Sequence, residues 1–99
     1  MIQDISALLA TAKRNQSELT DFLRDLVRIP TVNGRDPEAP LVARIEQEAI
    51  KLGLASRRVA LQPERPNILV SHGEGPDSFA LIAHMDTVAE GNLAGWSSP

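Results

Sequence analysis

Phe79-Ala80-Leu81-Ile82-Ala83-His84-Met85-Asp86-Thr87-Val88 is the stretch on which the reading of this chain turns. Its first five residues form an uninterrupted apolar run, preceded by the turn-rich His72-Gly-Glu-Gly-Pro-Asp77. A run that is too short for a helix and bounded by turn residues predicts a strand covered on both faces. His84 and Asp86 follow at a spacing of two. Strand residues two apart project to the same side, so an extended backbone through Asp86 brings the two side chains together and turns Met85 away. A carboxylate beside an imidazole accepts a hydrogen bond from one ring nitrogen and leaves the other neutral and outward-facing, as a metal ligand requires. The carboxyl end of a strand is also where ligands gather in open α/β sheets. The same triplet fits a plainer reading, a structural His-Asp contact at a strand terminus, and spacing alone does not separate the two.

Upstream, the apolar periodicity is helical. Ile2, Ile5, Leu8, Leu9 and Ala12 share one face, and Leu19, Phe22, Leu23, Leu26 and Val27 share another. The polar stretch Lys13 to Gln16 lies between them, so one long helix or two shorter ones fit equally, with Ser17 a cap for the second. Ile29-Pro30 ends the pattern, because a residue before proline is pushed out of the helical region. Asn33, Gly34 and Arg35 read as loop. Asp36-Pro37 then reads as a cap followed by a first-turn proline. Leu41, Ile45, Ala49 and Leu52 form the stripe of the next helix, and Gly53 is its stop. Beyond Gly53 the period shortens, with strand candidates at Ser56 to Leu61 and Asn67 to Ser71. The predicted order is helix, helix, strand, strand, strand, which indicates an α/β or α+β class without repeats.

Composition bounds the function. The 99 residues allow one small domain, and 42% hydrophobic with 23% charged residues describes a globular chain. A net charge of −3 with scattered basic residues, apart from Arg57-Arg58, argues against a nucleic-acid partner. No cysteine is present, so disulfides and thiolate zinc sites are excluded and any metal must be held by His and carboxylate. No stretch approaches the roughly 20 apolar residues of a membrane span. Residues 1–11 carry Asp4 and lack a basic, apolar leader pattern, which makes the cytoplasm the default expectation.

Several motifs taken together resemble a known family. Leu26-Val-Arg-Ile-Pro-Thr-Val32, Lys51-Leu-Gly53, Pro66-Asn-Ile-Leu-Val70 and His84-Met-Asp-Thr-Val88, with Gly91 and Gly95-Trp96 after them, follow one another as in certain zinc-dependent peptidases and deacylases. That family contains acetylornithine deacetylase, succinyl-diaminopimelate desuccinylase, glutamate carboxypeptidase and aminoacylase-1-like enzymes. The similarity runs from about Ser17 to the C-terminus. It implies that residues 1–99 are the N-terminal portion of a zinc-exopeptidase-like α/β catalytic domain, with two or three helices packed on a mixed sheet and without the dimerisation domain. It also implies that His84 is a ligand of one of two zinc ions, with Asp86 as the catalytic carboxylate that orients it. The relatives cleave amide or peptide bonds of acyl-amino acids or small peptides through a zinc-bridging water, and a homodimeric parent is implied as well. The bridging aspartate, the Glu-Glu pair and the second histidine of the family have no counterparts here. A catalytic zinc normally has three protein ligands, so the isolated chain is expected to be inactive and not to retain zinc.

The remaining residues carry bland expectations. His72 reads as an exposed turn residue. Trp96 reads as apolar surface packed on the catalytic domain. Asp21 with Arg24, Asp25 with Arg28, and Arg44 with Glu48 read as surface helix pairs. The reading from a different class is a self-contained α/β binding module in which His84 and Asp86 form a structural pair.

Overall fold

Asp4 begins the structured chain by a local device: its Oδ1 accepts from the backbone N–H groups of Ser6 (2.9 Å) and Ala7 (3.4 Å), satisfying two donors that a helix start leaves orphaned. The computed structural model describes residues 4–98, so Ile2, assigned above to the first apolar stripe, lies outside the described residues. The helix that Asp4 caps, α1, spans Ile5–Arg14, and α2 spans Gln16–Val27. The break falls at Asn15, whose ψ of 1° departs from helical geometry. There are therefore two helices, and Ser17, expected as a cap, sits inside α2. The polar run carries no apolar side chain that packing could hold in register with both helices. No residue of α1 is buried, and Leu9 keeps 60% of its surface exposed.

The third helix, α3, spans Ala39–Lys51. Its start is later than the expected Asp36-Pro37: Glu38 is the N-cap and Pro40 occupies the first turn, where a missing N–H costs nothing. The N–H groups of Glu38 and Ala39 both donate to the Glu64 carbonyl, at 3.0 and 3.1 Å, so a distant loop supplies the cap that Asp36 was expected to give. Asp36 instead closes its own loop, with Oδ2 accepting from the Val32 N–H at 3.0 Å. The C-terminus follows the sequence reading. Gly53 adopts φ +72°, its N–H donates to the Ile50 carbonyl, and the Leu54 N–H donates to the Ala49 carbonyl. This 5→2 and 6→1 pairing needs a left-handed residue at that position, which glycine adopts without a Cβ penalty.

The chain then forms an antiparallel pair, β1 (Ala55–Val59) and β2 (Asn67–Ser71), in a register that sets Arg57 opposite Leu69. β2 has its expected bounds. β1 begins one residue early and ends two residues before the expected Leu61. α3 packs on this pair, and Leu41, Val42 and Ala49 are buried, Val42 completely. Arg58 of β1 makes a two-pronged pair with Glu46 of α3, at 2.6 and 3.0 Å. Arg44 of α3 reaches across to Asp25 of α2 at 3.0 Å and lies 4.9 Å from the centre of the Phe22 ring. Asp25 thus pairs with Arg44 rather than with Arg28. The Arg44–Glu48 and Asp21–Arg24 pairs form as spaced, at 3.0 and 3.4 Å.

The third strand does not form. Phe79 to Ala83 carries no regular secondary structure, and Phe79, Leu81 and Ile82 are 87%, 88% and 96% exposed. A strand apolar on both faces needs a neighbour along each edge and a layer on each side, and no described residues supply them. The sheet is accordingly two-stranded and antiparallel, with one isolated parallel bridge between Val32 and Thr87, and the architecture is a small mixed α/β arrangement. Among the described residues, no helix is long and apolar enough to cross a membrane.

Candidate functional site

The segment after the apolar run is held where the run itself is not. Thr31 stands just past Pro30, and its side chain and backbone are among the most enclosed in the molecule, with 2% of its surface exposed. Its Oγ1 donates to the Met85 carbonyl at 2.9 Å. Its own carbonyl accepts from the Thr87 N–H at 2.9 Å, and the Asn33 N–H donates to the Thr87 carbonyl at 3.0 Å. Arg35 Nη1 donates to both carboxylate oxygens of Glu90, each at 3.2 Å, and Arg35 Nε donates to Asp36 Oδ2. The Glu90 carboxyl is held below its ordinary value, first by its own backbone N–H and then by Arg35. Glu90, followed by Asp36, in turn raises the Arg35 guanidinium above its ordinary value.

Residues 31–36 thus form a clasp on residues 85–90, and the His84–Asp86 pair sits at its mouth. His84 Nδ1 lies 3.1 Å from Asp86 Oδ1 and 2.9 Å from the Asp86 carbonyl oxygen. A backbone carbonyl can only accept, so Nδ1 carries the proton in this geometry. The lone pair of the neutral ring is then on Nε2, which has no hydrogen-bond partner among the described residues. The imidazole is open to solvent, with 85% of its side chain exposed against 42% for Asp86. The two side chains meet as their spacing predicts, although the strand expected to carry them does not form.

Beside the pair runs a broad groove of about 1080 Å³, walled by the end of α2, the exposed edge of β2 and residues 81–90. Leu26, Ile45, Leu69 and Leu81 give it an apolar lining, and Trp96 also borders it. Trp96 was expected to pack as apolar surface. Its ring is 62% exposed, and it is placed by its indole N–H, which donates to the Glu90 carbonyl at 3.0 Å. His72 follows β2 on the surface, as a turn residue would. Among the described residues, no three His, Asp or Glu side chains come together in a way that could hold a metal ion.

Thr31, Arg35 and Glu90 were not legible as site residues. They are separated from their partners by about 55 positions, and nothing local in Pro-Thr-Val-Asn-Gly-Arg distinguishes a clasp from a surface loop. The one available signal was the place of Thr31 in the Leu26–Val32 motif, directly after Pro30.

Comparison with known proteins gives one kind of relative. The chain is similar to YgeY. It is 39% identical over 89 residues to the protein described as "Uncharacterized protein YgeY" from Escherichia coli K12, and equally to that of Escherichia coli O157:H7. The match takes in 90% of this chain and 21% of YgeY, so the chain spans about a fifth of the length of the curated relatives it matches. No family model matches the chain, and no solved structure matches it significantly.

Proposed function

We propose that this chain is the opening part of a zinc-dependent hydrolase of amide or peptide bonds, acting on acyl-amino acids or small peptides. His84 is its contribution to the metal site, and Asp86 is the carboxylate that orients it. The observation that supports this reading is the direction of the imidazole: Nδ1–H is engaged twice by Asp86, and the Nε2 lone pair faces open solvent beside an apolar groove. An imidazole nitrogen with its partner nitrogen donating to a carboxylate fits the donor chemistry that zinc prefers. Bound zinc would supply Lewis acidity, polarising the scissile carbonyl and acidifying water. Asp86 fixes the tautomer of His84, and the groove whose lining includes Leu26 and Leu81 lies beside the pair.

In this reading Phe79–Ala83 becomes an interior strand of a mixed sheet in a zinc-exopeptidase-like domain. The length of YgeY, of which the matched segment is 21%, leaves ample chain to supply the missing neighbours. The isolated 99-residue chain has too few ligands to retain zinc and is expected to be inactive.

The test uses the full-length protein carrying this segment, with zinc content by elemental analysis and hydrolysis of N-acetyl-amino acids and dipeptides as readouts. His84→Ala should lower zinc content and remove turnover, and Asp86→Asn should weaken zinc binding by about 10–100-fold. Unchanged zinc and unchanged rate in His84→Ala would reduce the pair to a structural contact and favour a binding module.

A further inference from the structure

Asp86 can orient His84 only if Asp86 is itself held, and its own run of chain gives it little support. Residues 79–84 are exposed and pair with no strand among the described residues. Within the clasp, Thr31 makes the hydrogen bonds that flank Asp86 directly. The peptide group before it, through the Met85 carbonyl, accepts from Thr31 Oγ1 at 2.9 Å. The peptide group after it, through the Thr87 N–H, donates to the Thr31 carbonyl at 2.9 Å. One buried threonine therefore grips the backbone on both sides of Asp86 and fixes the direction of its carbonyl and its side chain. Those are the two groups that receive the His84 Nδ1–H, at 2.9 and 3.1 Å.

We infer that Thr31 is a positioning residue for the His84–Asp86 pair. Its hydroxyl sets the orientation of the Met85–Asp86 peptide and, through it, the tautomer in which His84 presents Nε2. The importance attached to that tautomer rests on the metal-ligand reading above, but the link from Thr31 to Asp86 to His84 is a property of the chain itself. A threonine with a purely packing role would be equally well served by valine, which has nearly the same shape. The hydroxyl is needed because the Met85 carbonyl, turned toward an enclosed side chain, would lose its acceptor bond without it. The grip also joins residues 54 positions apart, so the sequence around His84 holds no trace of it.

The experiment is performed on the 99-residue chain without metal, at a pH where histidine is neutral. The ¹⁵N shifts of the His84 ring report the ratio of Nδ1–H to Nε2–H tautomers. The wild-type chain should favour Nδ1–H. Thr31→Val should lower that ratio by roughly five-fold, the effect of losing one ordinary hydrogen bond, and Thr31→Ser, which keeps the hydroxyl, should restore it. Amide spectra establish that each variant is folded. A wild-type ratio with no Nδ1–H preference, a folded Thr31→Val with the wild-type ratio, or a folded Thr31→Ser that has lost the preference would each overturn the inference. Should Thr31→Val not fold, the wild-type and Thr31→Ser spectra still decide the matter. No zinc is involved, so a failed metal-ligand reading would appear in the His84→Ala zinc measurement and leave these spectra unaffected.

Discussion

Residues 39–71 and residues 72–90 are both rich in apolar side chains, yet they treat them in opposite ways. In the first region Leu41, Val42 and Ala49 are buried where α3 lies on the β1–β2 pair. In the second, Leu81 and Ile82 stand almost fully in solvent. The difference lies in how many partners each apolar surface demands. The α3 stripe occupies one face of a helix, and a hairpin arriving directly after Gly53 is enough to cover it. The 79–83 run is apolar on alternate sides and needs a covering layer on each, together with a backbone neighbour along each edge. The second region is instead secured at one end, by hydrogen bonds and charge through Thr31, Asn33 and Arg35. One region is thus held by packing and the other by a polar clasp.

Hydrogen exchange should show the contrast at its largest. Backbone amides of Ile45 to Ala49 should exchange roughly a thousand-fold or more slowly than those of Phe79 to Ala83, which should run close to the rate of unstructured chain. Matched protection in the two regions would mean that the run finds a partner in solution. Stability should follow the same division more gently. Val42→Ala, at the one completely enclosed side chain, should cost about 2 kcal/mol in urea unfolding, while Leu81→Ala should stay within about 0.5 kcal/mol. A comparable loss at Leu81 would break the distinction.

The smallest effect concerns pH. Arg58 holds the Glu46 carboxyl below its ordinary value of 4.5. A carboxyl depressed in the folded state binds its proton more readily when unfolded. Its stabilising contribution is therefore present above pH 4.5 and is lost as the pH falls through the lower folded value. Glu46→Gln should remove this part of the acid dependence, read as a shallower fall of the urea midpoint below pH 4.5. An unchanged slope would show that the pair adds nothing to the α3–β1 contact.

The elements legible in advance were those encoded by neighbours in sequence. Leu41 and Ala49 of the α3 stripe, its Gly53 stop and the bounds of β2 follow from local periodicity and backbone preference, whereas Leu52 of that stripe is exposed and Val42, outside it, is the most enclosed side chain. The meeting of His84 with Asp86 was legible for the same reason, since two residues of extended chain bring the side chains together whatever lies around them. The displaced start of α3 was not, because its cap is the Glu64 carbonyl, which takes the place that Asp36-Pro37 suggested. Nor was the clasp of Thr31 and Arg35 on residues 85–90.

By itself the sequence determined the stop of α3, the bounds of β2, and that an imidazole and a carboxylate stand two positions apart. Tertiary structure alone decided which apolar surfaces find cover, that Asp25 pairs with Arg44, and that one buried threonine grips the backbone around Asp86. The first set depends on steric and hydrogen-bond preferences acting over a few residues. The second depends on groups brought together across long stretches of chain, where each contact exists only if the intervening elements have already taken their places.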